Sequence, residues 1–164
     1  MAINNSINAP KTLIQMKYTS TTTYSAEGSL IPTDDTIPQI NEGSLLLSVS
    51  ITPKINTSIL ELEALVPVKG KIPGTNFGCA LFKTGTNDAL GSMLWCWQFG
   101  AEVGGAGLMP ITHRMVSGST TAATFQLRID GRGSGQYLYV NGDNTARKYG
   151  GVQRAIFIVK EYYS

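Results

Sequence analysis

Along residues 44–52, SLLLSVSIT, apolar and hydroxyl side chains alternate. Leu45, Leu47, Val49 and Ile51 fall on one side and serines mostly on the other. A period of two marks a strand with one face buried, because successive side chains point to opposite faces of a sheet. Residues 58–66 repeat the pattern, with Leu60, Leu62, Ala64 and Val66 on one face and Glu61 and Glu63 on the other. Their Leu and Glu content suits a helix, but Ile59 and the alternation favour a strand. Further strand-type runs lie at 11–18, 77–83, 93–99, 110–116, 122–130, 136–140 and 152–161. No stretch of ten or more residues carries a helical period. The runs recur about every 10–15 residues with Gly, Pro, Asn or Asp between them, which predicts an all-β antiparallel sandwich or barrel.

The last run differs from the rest. Ala155, Phe157 and Val159 form one apolar face, and Val152, Ile156 and Ile158 form the other. A strand apolar on both faces is covered on both. In a two-layer sandwich the second cover has to come from a partner subunit, so this strand predicts oligomerisation. Trp95 and Trp97, two residues apart on one strand face, are further candidates for that interface.

Residues 26–43 read as an irregular link, because Pro32 and Pro38 block ladders and helices. Residues 67–76 and 100–109 read as glycine-rich loops. The first residues are polar and Asn-rich and predict a free arm unless a neighbour holds them. The expected organisation is an arm at 1–11 and one β-domain at 12–164.

Composition narrows the class. A chain of 164 residues and 17.6 kDa fits one domain. Charged residues are only 15%, against a usual ~25%. Together with 18 Gly and 7 Pro, this argues against a helical bundle, a coiled coil, a disordered tail and a nucleic-acid-binding module. A surface this poor in charge is made of neutral hydroxyls and amides, or is covered by other protein. Net charge is +2; residues 1–102 sum to −2 and residues 103–164 to +4, with no dense basic cluster. The N-terminus lacks a charged segment followed by an apolar core, and the apolar runs are too short to span a bilayer. The expectation is a soluble cytosolic product with no membrane or nucleic-acid partner.

Candidate chemistry is sparse. Cys79 and Cys96 sit in apolar runs and read as buried free thiols, with a disulfide between them left open. The single histidine, His113, reads as a strand residue rather than a catalytic base, since no nucleophile elbow appears. The glycines of 128–135 lie between two strands and read as a hairpin loop, not a phosphate cradle. Asp34-Asp35 and the cluster Asn141, Gly142, Asp143 and Asn144 could supply oxygens to a hard cation, but such residues also close turns, and turns are the expectation. Trp95, Trp97, Tyr137 and Tyr139 could stack on a sugar or fill a core or interface. No catalytic residue, metal site or cofactor is expected.

One stretch carries a resemblance. Residues 33–43, TDDTIPQINEG, resemble a "DDTIPQ-x-x-EG" signature of a domain found in tailed bacteriophages, in tail-fibre C-termini and stand-alone virion proteins. Weaker matches follow in order: a strand ending Ile51-Thr52-Pro53; Ala80-Leu81-Phe82-Lys83; residues 119–125, STTAATF; and Tyr149-Gly150-Gly151-Val152. The likeness spans about residues 12–162. It implies a single-domain jelly roll, similar to tumour-necrosis-factor and complement globular-head domains, assembled as a homotrimer.

The resemblance therefore implies a non-enzymatic virion structural protein. With only residues 1–11 ahead of the β-domain and no stalk, a small protein sitting directly on a shell is expected, a capsid decoration or cement protein bridging major capsid subunits. The alternative is a tail or head fibre, a receptor-binding module recognising host surface glycan. The residues expected at the trimer interface are Val152, Ile156, Ile158, Trp95 and Trp97. Those expected to lie on the capsid are Ala2, Ile3, Asn4, Asn5, Ile7 and Pro10.

Overall fold

The computed structural model describes residues 12–71, 76–96, 106–131 and 137–164 and, for Trp95 and Cys96, the backbone alone. The expected arm at 1–11, Trp97 and the end of the run at 93–99 lie outside the described residues. Among the described residues ten strands follow one another: β1 (Leu13–Thr21), β2 (Ser25–Glu27), β3 (Ser44–Ile51), β4 (Ile59–Gly70), β5 (Asn76–Lys83), β6 (Gly91–Cys96), β7 (Ala106–Val116), β8 (Ala123–Ile129), β9 (Leu138–Val140) and β10 (Ala155–Tyr162). A single turn of 3₁₀ helix, Tyr149–Gly151, precedes β10. Among the described residues no helix is long and apolar enough to cross a membrane.

The strands form two antiparallel sheets packed face to face. The first runs β1-β10-β4-β9-β2, with β7 also paired to β4; the second runs β3-β8-β5-β6. β4 organises the first sheet. One edge pairs with β7 over nearly its whole length. The other pairs with β10 at residues 59–65 and then with β9 at 68–70.

The core lies between the sheets and follows from the alternation. Leu60, Leu62, Ala64 and Val66 on β4 face Leu47, Val49 and Ile51 on β3 and Phe125, Leu127 and Ile129 on β8. Phe157 and Val159 of β10 complete it, fully buried. Removing a side chain the size of Phe157 from such a core costs about 3–5 kcal/mol.

Four expectations need correction. Leu45 is half exposed, because an irregularity in the β3–β8 register between Leu45 and Leu47 turns it outward opposite Arg128, while Leu46 packs against the core. The first four residues of the expected loop at 67–76 are strand, since β4 continues to Gly70 through Pro67, and β5 already begins at Asn76. A strand residue's N–H and C=O point to the same side. Pro67 accepts from the Asn141 N–H on the β9 side, so its missing donor falls in the gap where β10 has ended and β9 has not begun. The loop expected at 100–109 gives way to strand from Ala106 onward. Finally, the link at 26–43 opens with the end of a three-residue strand, β2, paired to β9.

The rest of that link is a staple over the outer face of the second sheet. Ile31 and Ile40 pack on Ala80 and Phe82. Asp34 accepts from the Thr36 N–H and hydroxyl, Gln39 Nε2 donates to Asp88 at 3.0 Å, and Glu42 caps the Gln39 N–H at 2.8 Å. Arg128 donates to the carbonyls of Glu42 and Gly43. Gly43 has φ +65°, and a Cβ there would sit 2.7 Å from Ile31 Cγ1, so only glycine fits.

Candidate functional site

The outer face of the first sheet is its least covered apolar surface. Pairing register places side chains in rows across β1, β10, β4 and β7. Ser20, Ile156, Leu65 and Pro110 form one row; Tyr18, Ile158, Glu63 and Thr112 the next; Met16, Lys160, Glu61 and Arg114 the third. The third row and Glu63 are laced by charge. Lys160 Nζ lies 2.7 Å from Glu63 and 3.7 Å from Glu61, and Arg114 Nε donates to Glu61 at 2.6 Å. The hydrogen bond to Glu63 holds the Lys160 ammonium above its ordinary range. The first two rows carry the apolar side chains Ile156, Leu65, Pro110, Tyr18 and Ile158. Ile156 and Ile158 are half-buried, and Tyr18 beside them is 62% exposed.

The last strand thus has the two faces expected of it. Ala155, Phe157 and Val159 point into the core; Ile156 and Ile158 point out and are half-buried. Val152 is a correction. β10 starts at Ala155, and Val152 follows the 3₁₀ turn, 74% exposed, because the left-handed backbone of Gly150 and Gly151 delays the strand. Trp95 pairs with Phe77 through its backbone in β6, and Trp97 lies outside the described residues.

The other candidates resolve individually. Cys79 is a free, buried thiol, and desolvation pushes its pKa up to about 12. In register it faces Met93, whereas Cys96 faces Asn76. His113 lies opposite inward-facing Leu62, with Nδ1 3.6 Å from the place a Gly91 Cβ would occupy. Partial burial lowers its pKa, and among the described residues no hydrogen bond or ion pair joins it to a nucleophile. Asp34 and Asp143 both close turns. Asp143 accepts from the Thr145 N–H and hydroxyl and pairs with Lys148 at 2.9 Å, which hold its carboxyl far below the usual range. Tyr139 is buried, stacked on Tyr24 at 6.3 Å and beside Tyr137 at 6.4 Å, while Lys71 covers Tyr137 at 5.2 Å. Tyr139 therefore offers no open platform to a sugar.

Three features had no reading in the sequence. Glu161 continues the inward face of β10 and is fully buried. Its carboxylate accepts from Gln15 Nε2, the N–H groups of Lys54 and Ile55, and the Ser58 hydroxyl. Burial pushes its pKa up, but those four donors outweigh it and the net shift is downward. Tyr149 has φ +52° and is 79% exposed. Beside it a cleft of about 670 Å³ opens at the far end of β4, between the start of β7 and the 142–153 connection. The adjacent glycines at 150 and 151 are the one sequence signal for that turn.

No family model matches the chain, and no curated protein matches it. Among solved structures, dimeric latent PorU from Porphyromonas gingivalis is 11% identical over 95% of this chain and 14% of its own, with a TM-score of 0.40. The VP2 subviral particle of infectious bursal disease virus is 14% identical over 99% of this chain and 41% of its own, at 0.44. T=1 particles derived from that virus give 14% identity, 99% and 40% coverage, and 0.45. The chain spans less than half the length of each. Similarity at this level assigns neither family nor role.

Proposed function

We propose that this chain is a non-enzymatic structural protein of a tailed-bacteriophage virion, a trimeric jelly roll on the particle surface acting as a capsid decoration or cement protein. The observation that carries the reading is the outward-facing, half-buried pair Ile156 and Ile158 on β10, flanked by exposed Tyr18 and by Leu65 on the outer face of the first sheet. Each isoleucine is already half-buried, so covering what remains exposed is worth up to about 1 kcal/mol, and a threefold contact does so three times over. The strand order, with β1-β10-β4-β7 packed against β3-β8-β5-β6, agrees with a jelly roll. The phage-like signature at 33–43 points to the same setting.

The mechanism is geometric. One trimer bridges neighbouring major capsid subunits, and its second and third contacts become intramolecular once the first is made, so weak contacts sum to tight attachment. Outward hydroxyls such as Ser50 and Thr124, 2.7 Å apart, suit wet polar contacts. Residues 1–11 supply the arm that lies on the lattice. The position and symmetry of this protein's density on an intact particle test the placement. Deleting residues 1–10 should abolish particle binding and leave the trimer intact; full occupancy by the truncated protein would contradict the arm's role.

A second reading, a receptor-binding module of a tail or head fibre that recognises host glycan, is favoured by the exposed Tyr149 and the cleft beside it.

A further inference from the structure

We propose that the cleft at the far end of β4 binds an acidic saccharide, with Lys69 as the anion-binding group and Tyr149 as the stacking platform. The proposal rests on the receptor-binding reading and goes beyond it in naming the pocket, the residues and the sugar class.

The volume, about 670 Å³, lies within the range that holds small ligands. Pro67 and Leu108, paired across β4 and β7, give one apolar wall. Lys69 projects from the next outward position of β4 and is half-buried. Among the described residues no carboxylate pairs with it. Lys148, by contrast, is held by Asp143 and Thr145. Among the described residues the cleft therefore holds one cation without a carboxylate partner and one acidic side chain already paired with Lys148. A ligand carboxylate or sulfate supplies the missing partner, and Asp143 remains an acceptor for a sugar hydroxyl.

Tyr149 is the independent observation. A bulky residue at φ +52° is a backbone outlier, in a place where Asn or Gly fits without strain. Such strain persists where surrounding structure holds it and collects at binding sites. Here it sets an exposed ring on the cleft wall, and aromatic faces stack on the apolar faces of sugars.

The test uses the full chain with 3′-sialyllactose, a sulfated heparin disaccharide and neutral lactose, followed by saturation-transfer NMR and calorimetry. At least one acidic probe should bind ten-fold or more tighter than lactose. Lys69→Gln and Tyr149→Asn should each weaken it at least ten-fold, and Lys160→Gln, outside the cleft, should not. Because Asn tolerates the left-handed backbone, Tyr149→Asn should not lower the melting temperature. Failure of both acidic probes would overturn the proposal. Saccharide binding that both cleft variants leave unchanged would overturn the cleft assignment and leave the host-attachment reading standing.

Discussion

Glu161→Gln removes one charge from the core without changing its shape. In the native chain Oε1 accepts from Lys54 N–H at 2.8 Å, Ile55 N–H at 3.2 Å and Ser58 Oγ at 2.7 Å, and Oε2 accepts from Gln15 Nε2 at 2.6 Å. An amide keeps its oxygen on the first three donors and turns its NH₂ toward Gln15. Gln15 cannot flip in response without losing its bond to the Thr52 carbonyl at 2.7 Å. Three bonds fall from charge-assisted to neutral strength, about 1 kcal/mol each, and a fourth is lost, so the expected destabilisation is roughly 3–4 kcal/mol. For a chain of this size that is a fall in Tm of roughly 6–15 °C, measured at fixed protein concentration. The pH dependence follows from the lowered pKa. A carboxylate that titrates lower when folded than when unfolded stabilises above its ordinary value, 4.5, and loses that stabilisation as pH falls through the folded value. The gap between wild type and variant should be full at pH 7 and shrink below pH 4.5. A Tm within about 2 °C of wild type at pH 7, or a gap that does not vary with pH, would refute the argument.

Other substitutions probe other links. Gly43→Ala adds a methyl 2.7 Å from Ile31 Cγ1 and 2.8 Å from the Ile129 carbonyl at φ +65°, and should cost about 2–4 kcal/mol in urea unfolding. Cys79, with its thiol pushed up to about 12, should resist iodoacetamide at pH 8 in the native protein and react in urea, as read by peptide mass spectrometry. Tyr149→Asn should raise stability by about 1 kcal/mol through relief of the left-handed backbone, checked by thermal unfolding. Ile156→Arg, flanked by Ser20 and Leu65 with no charge in its row, should break self-association and leave the circular dichroism spectrum unchanged.

The sequence made the strands legible where alternation was uninterrupted. β4 and β10 carry their inward residues at every second position, so their core faces follow directly. It failed where one local event breaks the period. The irregularity at Leu45–Leu47 turns Leu45 outward, and nothing in a run of three leucines marks where it falls. Pro67 reads as a strand end because its tolerance depends on a gap between two other strands, which only the assembled sheet contains. Glu161 carries no signal in the sequence because all four of its donors come from distant positions in the chain. The outward facing of Ile156 and Ile158 was legible by their parity opposite Phe157; the place of Val152 outside β10 was not, because two left-handed glycines precede the strand. The phage-like signature, read as a family mark, is accounted for in large part by local hydrogen bonds that pin the loop over Ala80 and Phe82.

The central claim is that the outer face of the first sheet is a subunit interface. Multi-angle light scattering of the purified chain at tens of micromolar tests it most directly. The account predicts a mass three times the 17.6 kDa chain for wild type, falling to a single chain for Ile156→Arg. A wild-type mass of one chain, with Ile156 and Ile158 left open to water, would contradict it.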